Sequence, residues 1–80
     1  MDKKLYSRQQ RQLLALLREL RNEAGLRQQD VAELIDEPQS FVSKYETGER
    51  RLDILELHEV CRVLGISLTD FAARLEEKLS

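Results

Sequence analysis

The stretch QQDVAELIDEPQSFVSKYETG, residues 28–48, decides the fold. Its opening, Gln28 to Ile35, places Val31, Leu34 and Ile35 at helical spacing facing inward, with Asp30 near the positive N-terminus of the helix they imply. Asp36, Glu37 and Pro38 then break the pattern. Proline lacks an N–H and biases the residue before it away from helix, yet is tolerated in a first helical turn. A further helix therefore starts near Pro38, turns Val42 and Tyr45 inward and closes at Gly48. Two short helices separated by a break of about three residues have the spacing of a helix-turn-helix, which sets its second helix proud of the surface.

The flanks carry the same signals. Upstream, Ser7 and Gln10 read as an S-x-x-Q capping box opening helix one. Leu13, Leu14, Leu17, Leu20 and Ala24 make its buried face, Arg8, Arg11, Arg18 and Glu19 lie outside, and Gly25 supplies the stop. Downstream, Asp53 caps a fourth helix carrying Leu57, Val60, Cys61 and Leu64 and ended by Gly65. Ser67 with Asp70 opens a fifth, in which Leu68, Phe71, Leu75 and Leu79 form a stripe. Fifteen leucines against nine β-branched residues favour helix over strand. The expectation is an all-α, compact five-helix bundle in a single domain over residues 1–80, too short for a second core. Residues 1–6, with Lys3 and Lys4, read as an arm or a frayed terminus.

Several classes of function drop out. A single Cys excludes an internal disulfide, and one Cys with one His cannot furnish a structural zinc site. No metal and no cofactor are expected, and with no base and nucleophile converging, no enzyme. Cys61 reads as a small core residue and His58 as a solvated one. The longest apolar run, Leu13 to Leu17, is far short of the roughly 20 residues that span a bilayer. Lys3 and Lys4 lead into a polar segment rather than a signal peptide, so a cytoplasmic address follows.

With Val42 and Tyr45 inward, the third helix presents Gln39, Ser40, Ser43 and Lys44 outward. Glutamine matches adenine at two atoms, and lysine suits the oxygen and nitrogen of guanine. At this point the sequence resembles the Cro/CI repressor-like (XRE) helix-turn-helix proteins. The resemblance runs from about Leu13 to Leu75, through LRELRNEAGLRQ (17–28), VAELI (31–35), QSFVSKYETGERR (39–51) and LHEVCRVLGIS (57–67). It implies a lambda-repressor-like five-helix domain that binds operator DNA as a dimer, nucleoid-associated when bound. Carried onto these positions, it implies base readout by Gln39, Ser40, Ser43 and Lys44. It implies backbone contacts from Gln28, Arg50 and Arg51, and an ion pair between Arg21 and Glu46.

The chain also departs from that pattern. Arg27 stands where relatives often carry the Thr or Ser cap of helix two, so about 1 kcal/mol of capping is forgone, with a phosphate contact from Arg27 in exchange. Glu37 and Pro38 replace residues more often Val or Ile and then Ser or Thr, which leaves the depth of Gln39 in a groove open. Phe41 admits two roles, contact with a thymine methyl or packing beside Tyr45.

Net charge is -2, with residues 1–29 at +4, residues 30–49 at -5 and residues 50–80 at -1. Weak nonspecific DNA binding follows, since that affinity comes mostly from cations meeting phosphates. The stripe on residues 67–80 either lies on helix one or crosses to a second subunit, and Ile54, Leu55, Phe71, Leu75 and Leu79 are the dimer contacts expected from it. The combined expectation is a sequence-specific transcription regulator, a repressor, acting on an inverted-repeat operator in duplex DNA. The rival is a protein interaction module, such as an antitoxin or regulator-binding adaptor, built on the same fold.

Overall fold

The computed structural model describes residues 3–80, with side chains from Arg8 onward. Five helices follow one another: α1 (Lys3–Glu23), α2 (Gln28–Leu34), α3 (Gln39–Thr47), α4 (Ile54–Leu64) and α5 (Leu68–Leu79). No strand occurs among the described residues, and no helix there is long and apolar enough to cross a membrane.

Most of the expected punctuation is in place. Asp53 caps α4 through Glu56 N–H (2.7 Å), and the Glu56 carboxylate returns to Asp53 N–H (2.9 Å), a full capping box. Ser67 Oγ accepts from Asp70 N–H (3.0 Å) at the head of α5. Helix α1, however, begins at Lys3, so Ser7 is an interior position and not its cap. Nothing between Lys3 and Ser7 breaks a helix, and a serine that suits a cap does not compel one. The arm expected over residues 1–6 therefore falls partly on helical backbone, and Met1 and Asp2 lie outside the described residues.

The core gathers Leu16, Leu17, Leu20, Val31, Val42, Tyr45, Val60, Cys61 and Phe71. Four side chains differ from the expected faces. Leu16, left off the α1 stripe, is fully buried, because α1 packs against both α3 and α5 and so needs a wider apolar arc. Ala24, expected on that face, is exposed, since it lies past the last helical residue. Leu34 is 57% exposed, and Ala32 is buried in its place. At about 100° per residue, Val31, Ala32 and Ile35 share one narrow arc of the two-turn helix and Leu34 falls outside it.

The stripe on α5 lies along helix one. Lys78 Nζ meets Glu19 Oε2 at 2.9 Å and Arg74 meets Glu23 at 3.1 Å, which ties the C-terminal turns to α1. Phe71 is 1% exposed and sits inside the single chain, so it offers nothing to a partner.

Gly48 ends α3 at φ +86°, in the left-handed region, and a Cβ there would stand 3.1 Å from Leu14 Cδ1. Gly65 has a similar φ of +81° but open space around it. Gly65→Ala is therefore expected to cost about 1 to 2 kcal/mol for the backbone alone. Gly48→Ala should cost more, because Leu14 must also move. Paired urea midpoints check the order.

Candidate nucleic-acid interface

The break between α2 and α3 is built by three residues. Asp36 adopts φ +57°, a left-handed conformation that Asp tolerates better than most residues. Glu37 N–H then donates to Ala32 O (2.9 Å), and Pro38, at φ -69°, serves as the N-cap of α3. Helix α3 buries Val42, Tyr45 and Glu46, and this fixes which residues face out. Gln39, Ser40 and Lys44 are exposed and Ser43 is half-buried. Thr47, one turn beyond Ser43, is exposed on the same side and was missed; its i+3 and i+4 spacing from Lys44 and Ser43 was the available signal.

Beneath this face lies a buried ion pair. Arg21 Nε donates to Glu46 Oε2 at 2.6 Å and Nη2 to Oε1 at 3.1 Å, and the Glu46 side chain is 1% exposed. A third donor, Arg21 Nη1, reaches Leu26 O at 3.0 Å and anchors the loop into α2. The hydrogen bonds it donates to Glu46 hold the Arg21 guanidinium above its ordinary pKa against the opposing effect of burial.

The pair continues outward. Gln28 Nε2 donates to Glu46 Oε1 (2.9 Å), and Gln39 Nε2 donates to Gln28 Oε1 (2.7 Å). A carboxylate only accepts, so Glu46 compels Gln28 to present its NH₂ group inward and its oxygen outward. Gln39 must then spend one N–H on Gln28, which leaves its other N–H and its carbonyl oxygen for the solvent side. The two glutamines anticipated separately at the interface are thus one relay, oriented from the core.

The cations expected on the DNA backbone are placed differently from one another. Arg50 is held by Glu56 through two bonds, 2.7 and 3.0 Å, and stacks 4.6 Å over the centre of the Phe41 ring. Phe41 in turn meets Tyr45 edge to face at 5.8 Å, so it takes the packing role of its two alternatives. Arg51 is exposed in the loop after Gly48. Arg27 is exposed and bound to Asp30 through Nη2 (2.9 Å) and Nε (3.1 Å).

The missing cap at Arg27 is offset from the other side, because Asp30 also accepts the Arg27 backbone N–H (2.8 Å). These bonds bring the Asp30 carboxyl down to about 2, the contacts of the Arg27 side chain first and its N–H second. A depressed carboxylate stabilises the fold above its ordinary value of 3.8 and loses that contribution as pH falls through about 2. A carbon-detected NMR titration should show Asp30 among the most acidic carboxyls, and Arg27→Ala should return it toward 3.8.

Among the described residues no group of His, Cys, Asp and Glu is arranged to hold a metal. Cys61 is fully buried and desolvation pushes its thiol up to about 11, as suits a core residue.

A helix-turn-helix family model, HTH_3, matches residues 17–71, which take in all of α2, α3 and α4. An XRE-family like protein from Pseudomonas syringae pv. tomato str. DC3000 is similar in structure. It is 40% identical with a TM-score of 0.86, covering 94% of this chain and 92% of that one. The clp gene regulator ClgR from C. glutamicum is similar at 25% identity and a TM-score of 0.77, covering 90% of this chain and 92% of that one. No curated protein matches the sequence.

Proposed function

Since the chain belongs to the XRE-type helix-turn-helix family, a family of DNA-binding regulators, we propose that it represses transcription by seating α3 in the major groove of an operator. The observation that carries the reading is the relay from Arg21 through Glu46 and Gln28 to Gln39. An amide held with one N–H and one carbonyl oxygen turned outward matches the N7 acceptor and N6 donor of adenine. Lys44, exposed one helical turn further on, suits guanine, and Ser40 and Ser43 lie between them on the reading side. The likeness to ClgR, named as a clp gene regulator, supports a regulatory role.

Backbone affinity rests on few groups. Gln28 lies beside Gln39 at the start of α2, and Arg51 is exposed beyond α3. Arg27 and Arg50 carry their charge next to Asp30 and Glu56. A shallow salt dependence follows, because the slope counts neutralised phosphates at about 0.9 each.

Such a domain reads a two-fold operator as a dimer. Ile54 and Leu55, 62% and 77% exposed at the start of α4, are its best-placed apolar contacts. Leu75 and Leu79 are half-buried against the chain itself and add at most an edge. Selection of bound duplexes from a random pool at low salt tests the whole reading. An enriched inverted repeat with half-sites about 10 base pairs apart is the expected result. A folded protein that enriches nothing would overturn it.

One observation favours the rival reading, a protein interaction module. The acidic residues Glu33, Asp36 and Glu37 are exposed on α2 and in the turn that leads into α3. Under that reading, Gln39→Ala with Lys44→Ala leaves partner binding intact.

A further inference from the structure

Helix α1 carries a stripe of cations that the function proposed above leaves unused. Arg8, Arg11, Ala15, Arg18 and Asn22 follow one another at spacings of three and four residues, so they share one face of the helix. Arg8, Arg11 and Arg18 are exposed, and no acidic residue interrupts the stripe. The acids of α1 are committed elsewhere, Glu19 to Lys78 and Glu23 to Arg74, both on α5. Among the described residues Arg8 and Arg11 make no hydrogen bond or ion pair. Arg18 makes one long bond, from Nη2 to the Glu46 carbonyl at 3.4 Å, and meets no carboxylate. The guanidinium charges of the stripe are therefore not neutralised within the fold.

The bond from Arg18 also fixes where the stripe lies, because Glu46 is in the last turn of α3. Gln10 and Leu14 abut Gly48, the C-cap of that helix, where a Cβ would stand 3.6 and 3.1 Å from them. The first half of α1 thus runs past the end of the helix whose outer face carries Gln39 and Lys44. At about 100° per residue, Leu17 and Leu20 turn to the core on one side of Leu14, and Arg11 and Arg18 turn away from it on the other. The stripe and the outer face of α3 are both directed away from the core. Arg11 and Arg18 are separated by about 10.5 Å along α1, about three steps of one DNA strand.

We propose that this stripe binds the sugar-phosphate backbone of the duplex read by α3, with Arg11 and Arg18 each neutralising one phosphate and Arg8 extending the positive field beyond them. Charge complementarity and continuity with the end of α3 select this occupant. Resting on the DNA-binding reading, the two contacts add about 1.8 per subunit to the salt slope expected from α2 and the loop after α3. They give affinity and register but no base information.

Fluorescence anisotropy tests this with the full chain, on a duplex from the selected pool and on a scrambled one, at about 50 to 200 mM KCl. Arg11→Gln combined with Arg18→Gln is expected to weaken both duplexes alike and to lower the slope by about 1.8 per subunit, leaving their ratio unchanged. Glutamine is a good helix former at exposed positions, and circular dichroism checks the fold. Arg11→Lys with Arg18→Lys, which keeps the charge, should retain the slope. Arg62→Gln, which removes an exposed cation from α4, should leave it unchanged. An unchanged slope in the glutamine variant, or the same fall per charge in Arg62→Gln, would overturn the proposal. A protein that binds both duplexes equally, with a slope that falls in the glutamine variant, keeps the stripe and loses the reading by α3. One that prefers its operator, with a slope the glutamine variant leaves intact, loses the stripe alone.

Discussion

Arg21→Ala is expected to destabilise the protein by about 3 to 5 kcal/mol, the cost of stranding a buried charge. That is a large share of the roughly 5 to 15 kcal/mol that holds a small domain together. The Glu46 side chain is 1% exposed, and two of its three side-chain donors are on Arg21. With Arg21 gone, only Gln28 faces the carboxylate, and the Leu26 carbonyl loses its guanidinium partner as well. Urea unfolding followed by circular dichroism measures the loss.

The companion variant Arg21→Met with Glu46→Leu should recover most of it, because an apolar pair of similar size removes the charge along with its partner. If the single and double variants are equally destabilised, the pair matters for its shape and not for its charge. Glu46→Gln separates folding from reading. It should cost less than Arg21→Ala, since Arg21 keeps its bond to Leu26 O and 14% exposure. It should nevertheless loosen the preference at the base read by Gln39, because an amide at 46 both donates and accepts and no longer dictates which way Gln28 faces.

Gln39→Ala combined with Lys44→Ala is expected to erase most sequence preference while the fold stays intact. Both side chains are exposed on α3, and alanine is the best helix former. Each well-placed base contact discriminates by about 1 to 3 kcal/mol, so losing one relaxes specificity by roughly fivefold to more than a hundredfold. Competition binding with the selected operator and a scrambled duplex reads the ratio directly. Nonspecific affinity and the salt slope should change little, since the slope counts neutralised phosphates and the groups assigned to the backbone are left in place. Arg51→Ala is the contrasting variant, expected to weaken all duplexes alike because a phosphate contact carries no base information. If the double variant retains its operator preference, α3 is not the reading helix.

The helices and their order are determined by the sequence alone, because caps and breaks act over a few residues. Asp53, Ser67, Pro38 and the glycines at 48 and 65 do their work within one turn, and each is found where its local chemistry places it. Ser7 marks the limit of that logic, since a residue able to cap a helix does not oblige the chain to start one. The inward faces of α3 and α4 were also legible, from the spacing of Val42 with Tyr45 and of Val60, Cys61 and Leu64. The family resemblance placed the Arg21 and Glu46 pair, which the structure brings to 2.6 Å.

What the tertiary structure decided is which of several equivalent-looking residues meet across the chain. Leu16 is buried and Leu34 exposed because burial depends on how wide a face a helix turns to its neighbours: α1 buries a broad face between α3 and α5, whereas α2 meets α3 and α4 through the narrower arc of Val31, Ala32 and Ile35. The stripe on α5 is spent on α1, and Phe71 is in the core instead of on a partner surface. Arg50 reads in sequence as a free cation but is clamped by Glu56, six residues on, once the loop folds back. Gln28 and Gln39 read as two independent polar residues and become one oriented relay only when α2 and α3 pack over Glu46. Local preferences act through neighbours in the chain, whereas partners in space exist only after the helices have docked.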